Sequence, residues 1–256
     1  MTRAPAGVWP RDAAELAAAQ QTLAAAAPPA WRPPPQPVVA GCFACLPRGQ
    51  TGRGAAGDPV WAAAAAYRGN RRLGQAHATG HAAAAYQPGL LALRLGPPLA
   101  AAVGGLPVRP DVVLVDATGR DHPRRAGLAV QLGAVLGLPT VGVTHRPLLA
   151  RGDWPPDRPG AASPLLLDGV VVGYWLRTRP GRRPVAVHAG WRTDPETAVT
   201  VVAAAARHRT PTPLREARRL ARRLRAVSTG TDIVTNRDGG LPAVPLPFAT
   251  TRYRSG

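Results

Sequence analysis

Asp116, His122, Arg124 and Arg125 fall close together in VVLVDATGRDHPRRAG, Val112 to Gly127. A carboxylate at Asp116 offers an acceptor for a cation or a proton. His122, Arg124 and Arg125 offer donors suited to phosphate oxygens. The apolar run Val112 to Val115 that precedes Asp116 reads as a strand buried on both faces. A Gly-bearing loop follows through Gly119, and AGLAVQLGAVLGL then has helical spacing, with Leu128, Leu132 and Val135 on one side. A strand that ends in a carboxylate, then a polar loop, then a helix, is how open α/β sheets build sites at strand carboxyl ends. The competing reading makes Asp116 a loop cap and leaves the arginines solvated.

Three other groups could carry chemistry. Cys42 and Cys45 form a Cys-x-x-Cys, but the pair falls inside a predicted strand, where positions three apart face opposite sides. With no other cysteine in the chain, two buried small hydrophobes are the simpler reading. His77 and His81 lie four apart on a second predicted strand, without further ligands. REARRLARRLR, Arg215 to Arg225, distributes arginines around a helix whose apolar side is Leu214, Leu220 and Leu224, and it either lies along phosphates or forms a solvated face.

The elements that must position these groups follow from composition and pattern. The chain has 256 residues, enough for a sizeable core. Its 32 basic residues are all arginine against 14 acidic ones, a net charge of +18. A surface this positive favours a nucleic-acid partner and salt-sensitive binding. Two cysteines argue against a disulfide framework and fit a reducing compartment, so a cytoplasmic location is expected. No stretch has the length and apolarity of a membrane span.

In chain order, an alanine-rich helix is expected over Asp12 to Ala26, and then a stiff Pro-rich connector over Pro28 to Pro37. Strands are expected over Val38 to Leu46, Val60 to Tyr67 and Leu73 to His81, the last two joined at Gly69 and Asn70 as an antiparallel meander. A helix over Leu90 to Val103 is expected to be broken or delayed by Pro97 and Pro98. The strands at Val112 and Thr140 to Val143, with a helix between them, predict parallel pairing. Hairpin strands follow at Leu165 to Leu167 and Val170 to Leu176, with a last one at Val185 to His188. Helices are expected over Thr193 to Arg207 and Pro213 to Val227. The organisation is thus an N-terminal helix and connector over residues 1–37, one domain over 38–227, and a tail over 228–256 expected to be flexible.

Together these segments resemble the endonuclease V family, from about Ala13 to Val227. VVLVDATGRDHPRRAGLA carries the strongest likeness, followed by AYQPGLLALR, LPTVGVTHRPL and AGWRTDPETAV. The resemblance implies a ribonuclease-H-like α/β fold, a mixed sheet with helices on both faces. It also implies a magnesium-dependent nuclease that nicks nucleic acid near deoxyinosine or inosine. Tyr86 and Pro88, in the family's Tyr-x-Pro-Gly segment, would form the wedge beside the recognised base. Gly89 and Gly119 would allow close backbone approach to an extruded base, and His122, Arg124, Arg125 and Arg192 would contact nucleic acid.

The same likeness exposes departures. Phe43 stands where the family has an aspartate, Leu95 where it has a glutamate, His145 where it has a lysine, and Trp191 where it has a histidine. Glu196 stands at a family aspartate, so Asp116 and Glu196 are the expected metal ligands, with His145 beside them as a catalytic candidate. Magnesium needs oxygen ligands in an octahedron and at least one or two carboxylate anchors. Three functions follow: a nucleic-acid-binding protein with impaired or absent nuclease activity (a pseudoenzyme), an active enzyme with a site rearranged around Asp116, Glu196, Asp194, Asp121 and His145, or a protein-interaction module whose cleft is filled by Phe43, Leu95 and Trp191.

Overall fold

The computed structural model describes residues 9–50 and 52–229, so the tail expected beyond residue 228 lies almost entirely outside the described residues. In chain order the elements are α1 (Ala13–Ala25), β1 (Val38–Cys45), β2 (Pro59–Arg68), β3 (Arg71–His81), α2 (Leu91–Gly104), β4 (Val112–Val115), α3 (Leu128–Leu136), β5 (Thr140–Thr144), β6 (Ala162–Leu167), β7 (Val170–Leu176), β8 (Val185–Ala189), α4 (Pro195–Ala205) and α5 (Thr212–Ser228). They build one eight-stranded sheet in the order β3-β2-β1-β4-β5-β8-β7-β6.

The centre of the sheet is parallel. Val39 to Cys42 of β1 pair with Val112 to Val115 of β4, and β4 pairs in the same sense with β5. Every residue of β4 is buried, as its unbroken apolar run requires. On one flank β2 and β3 add antiparallel to β1, turning at Gly69, whose φ of 56° places it in the left-handed region. On the other flank β8, β7 and β6 are all antiparallel.

Alternation along the strands divides the core into two layers. Ala40, Cys42, Val113 and Val115 face α1, α2 and α3, while Leu114, Val141 and Val187 face α4 and α5. Leu16 of α1 is fully buried in the first layer, and the Trp31 amide of the connector donates to the Arg192 carbonyl at 2.7 Å. The N-terminal segment is therefore docked on the main body. α5 lies so low on β1 that a Cβ at Gly41 would collide with the backbone of Pro213 and Leu214.

Two expectations need correction. α2 runs unbroken through Pro97 and Pro98. Pro97 has no N–H to give to the Leu93 carbonyl, and the Ala83 amide takes that carbonyl instead at 3.3 Å, so the break expected there does not occur. The helix expected from Thr193 starts at Pro195, because Asp194 caps it by accepting from the Thr197 amide at 2.6 Å.

Candidate functional site

Because β1, β4 and β5 are parallel, their carboxyl ends meet at one edge of the sheet. Phe43 sits near the end of β1, Asp116 follows β4 and His145 follows β5. α5 crosses the same end. There Arg218 Nη2 donates to Asp116 Oδ2 at 3.0 Å, and the Arg218 guanidinium carbon lies 5.2 Å from the centre of the Phe43 ring. Arg222, one turn on, lies 5.8 Å from the same ring. Both partners of the ion pair are partly open to solvent, so it contributes only about 0.2–1 kcal/mol to stability. Its consequence is chemical: the carboxylate expected to hold a metal already faces a cation.

His145 joins this cluster. Burial pushes its pKa down, the Arg209 and Arg218 charges push it further, and Asp116 opposes them. It is therefore neutral near neutral pH, unlike the lysine of the family pattern.

Beside Asp116 lies a cavity of about 220 Å³, lined among others by Gln20, Tyr86, Gly89, His122 and Thr144. Tyr86 is exposed at its mouth. Gly89 adopts a φ of 79°, open to glycine with little strain. His122 Nδ1 accepts from the Arg124 amide at 3.1 Å, so Nε2 carries the proton and donates to the Gly89 carbonyl at 3.1 Å. Gln20 of α1 donates to the same carbonyl at 2.9 Å and accepts from Arg124 Nη1 at 3.1 Å. His122 therefore ties the wedge segment to the loop after β4; its ring contacts do not go to Asp116. Gln20 had no sequence motif of its own. The one available signal was a polar residue four after Leu16 on a helix whose only large apolar residues are Leu16 and Leu23.

Several expected site residues are placed elsewhere. Glu196 opens α4 after the carboxyl end of β8, which runs opposite to β5, so it stands at the far end of the sheet from Asp116. Its carboxylate accepts from the Tyr174 hydroxyl at 3.0 Å. The Asp116–Glu196 metal pair is thus not assembled. Arg192 donates to the Pro29 carbonyl at 3.3 Å and pins the connector at that same far end. Trp191 is there as well, its backbone amide bonded to Thr140. Leu95 packs into the α2 layer, so Phe43, Leu95 and Trp191 do not share a cleft. Arg125 pairs with Asp168 at 2.7 Å, and Arg94 is buried against Asp58 and the Ala84 carbonyl. Gly119 lies against the Ala189 carbonyl, where a Cβ has no room, so its role is to let the loop cross β8 rather than to line the cavity. Cys42 and Cys45 pack in different core layers with thiol pKa values pushed up by burial, which leaves neither as a thiolate.

Asp121, offered as a rebuilt ligand, is fully buried and accepts from the amides of Leu148, Leu149 and Ala150 at 2.6, 2.8 and 2.8 Å. His188 Nδ1 stands 3.6 Å away, and its Nε2 is 2.8 Å from Thr144 Oγ1. Burial depresses the His188 pKa and Asp121 opposes it. Burial also depresses His122. With folded pKa values below the unfolded imidazole value of about 6.5, the unfolded chain binds more protons as pH falls beneath that point. Stability is therefore full above about pH 6.5 and falls below it, by up to about 1.4 kcal/mol per pH unit for each such histidine. Melting temperatures from pH 7.5 to 5 should follow that fall, with a shallower slope in His188→Asn. A flat profile would overturn the assignment.

Among the described residues, no group of three or more His, Cys, Asp or Glu side chains is placed to hold a metal ion. Asp116 is neutralised by Arg218, Phe43 presents a ring, and Asp194 caps α4 while pairing with Arg32. The residues present do not fit a magnesium centre. None of the described helices is long and apolar enough to cross a membrane.

A mixed sheet with a parallel centre, helices on both faces and an aspartate after the middle strand defines a ribonuclease-H-like α/β protein. The family model for endonuclease V matches residues 48–219, and the chain belongs to that family. It is 46% identical to endonuclease V of Methanopyrus kandleri over 139 residues, 54% of this chain and 60% of the relative. It is 43% identical to that of Roseiflexus sp. over 137 residues, 53% and 62%. The chain thus spans about 60% of the length of these relatives in the matched segments. The endonuclease V structure from Streptomyces avermitilis superposes with a TM-score of 0.76 at 35% identity, covering 89% of this chain and 97% of that one. The Ciona intestinalis enzyme, crystallised with a 24mer DNA containing an inosine, shares the fold at a TM-score of 0.67 and 18% identity, over 82% of this chain and 96% of that one.

Proposed function

We propose that this chain binds inosine-bearing nucleic acid in the manner of its family, with magnesium-dependent strand cleavage impaired or lost. The observation that carries the reading is the Asp116–Arg218 ion pair, set over Phe43 where the family pattern calls for a second carboxylate. Binding is supported by the net charge of +18 and by the cavity between Tyr86, Gly89 and Asp116, which suits one extruded base better than a larger ligand. Tyr86 and Pro88 are the wedge, and Arg124 flanks the cavity through Gln20. The inosine DNA of the Ciona relative gives the ligand class to test first.

The test is a nicking assay on an inosine-containing duplex with magnesium or manganese, run beside a gel shift at rising salt. The expected result is a salt-sensitive shift and no more product than Asp116→Ala gives. Asp116-dependent nicking would restore the active-enzyme reading, and absence of any shift would favour a protein-interaction role.

A further inference from the structure

We propose that Arg218 and Arg222, laid across Phe43, form a metal-independent phosphodiester-binding site at the carboxyl ends of β1 and β4. This rests on the nucleic-acid-binding reading and specifies how one backbone phosphate is held. Arg218 spends one Nη2 donor on Asp116, and its buried Nε finds no acceptor among the described residues. A guanidinium has five N–H donors in a planar fork, so most of Arg218's capacity is left for a ligand. Arg222 is exposed and forms no ion pair among the described residues. Both lie within 6 Å of the centre of the same aromatic ring, an attraction that favours this placement without consuming a hydrogen bond. Arg209 and Arg218 both depress His145, so the ground around Asp116 is positive.

A phosphate oxygen is the ligand class this arrangement takes: anionic, multiply accepting, and matched to paired N–H donors. Asp116 then acts as a gate. It holds Arg218 in place in the free protein and competes with the incoming phosphate for the guanidinium. In a metal site the same carboxylate would help binding; here it opposes it. That difference in sign separates the two arrangements.

The experiment measures fluorescence anisotropy of a labelled inosine-containing duplex with the full chain, in EDTA and in magnesium. The variants are Arg218→Gln, Arg222→Gln and Asp116→Asn, each checked for folding by circular dichroism. Wild-type affinity is expected to agree within about twofold in the two buffers. Arg218→Gln and Arg222→Gln should each weaken binding about tenfold. Each should also lower the slope of log affinity against log salt by roughly 0.9. Asp116→Asn should tighten binding. Because Arg222 is exposed, its variant reads the site even if Arg218→Gln fails to fold. Binding that requires magnesium, or arginine variants with wild-type affinity and slope, would overturn the site while leaving nucleic-acid binding intact. Wild-type protein that binds no duplex at any salt would overturn the broader reading, and the site with it.

Discussion

Replacing Phe43 with aspartate and Arg218 with glutamine together should produce manganese binding at least on the order of a hundredfold tighter than wild type. The sheet register carries the argument. Cys42 pairs with Val115 across parallel strands, so positions 43 and 116 are next in step and lie about 5 Å apart on the same face. The double change adds one negative charge and removes one positive charge beside the ion. Even at the dielectric of water, each unit charge about 5 Å from a dication is worth about 1.7 kcal/mol, so the two together are worth about 3 kcal/mol. At a protein-like dielectric the gain is larger. Manganese titration followed by electron paramagnetic resonance measures it directly, and the single variants separate the two contributions. No gain in the double variant would mean that the arginine is not what keeps a dication from Asp116.

The second large effect is on stability. Asp121→Ala should destabilise the protein by about 4 kcal/mol or more, because three amides that end on one buried carboxylate lose their acceptor together. Marginal stability of roughly 5–15 kcal/mol leaves little after such a loss. Asp121→Asn keeps an acceptor oxygen and should cost less. Urea unfolding of both variants is the measurement, and a shift under about 1 kcal/mol for alanine would show that the loop from Leu148 to Ala150 does not depend on this group.

The strands and helices were legible in the sequence because their signals are local. The apolar run at Val112 and the Gly69–Asn70 turn each point to one element, and the structure has those elements. The continuity of α2 at Pro97 is not legible in the sequence because the compensating donor, the Ala83 amide, lies on a segment that only the fold brings near. The site followed the same division. Asp116 stands out in the sequence by its place after a buried strand, and Phe43 by its departure from the family pattern. Glu196 was misplaced because a motif match says nothing about strand direction, and the reversal of β8 carries α4 to the opposite end. Arg218 was one arginine among many in a helix read as a whole. What singles it out is the turn of α5 that stands above Asp116, a fact of docking height that no short window of sequence contains.

That height depends on small side chains. Gly41 is paired with Ala65 and Phe43 with Ala63, and each of these alanines is fully buried. With so little bulk between helix and sheet, the arginine side chain has enough reach to span the gap. Thicken that floor by a few methyl groups and the guanidinium would be lifted clear of its carboxylate without any change to either residue. The character of this cleft is therefore set partly by residues that no ligand touches, and drift at those plain positions would alter it as surely as mutation of the charged pair.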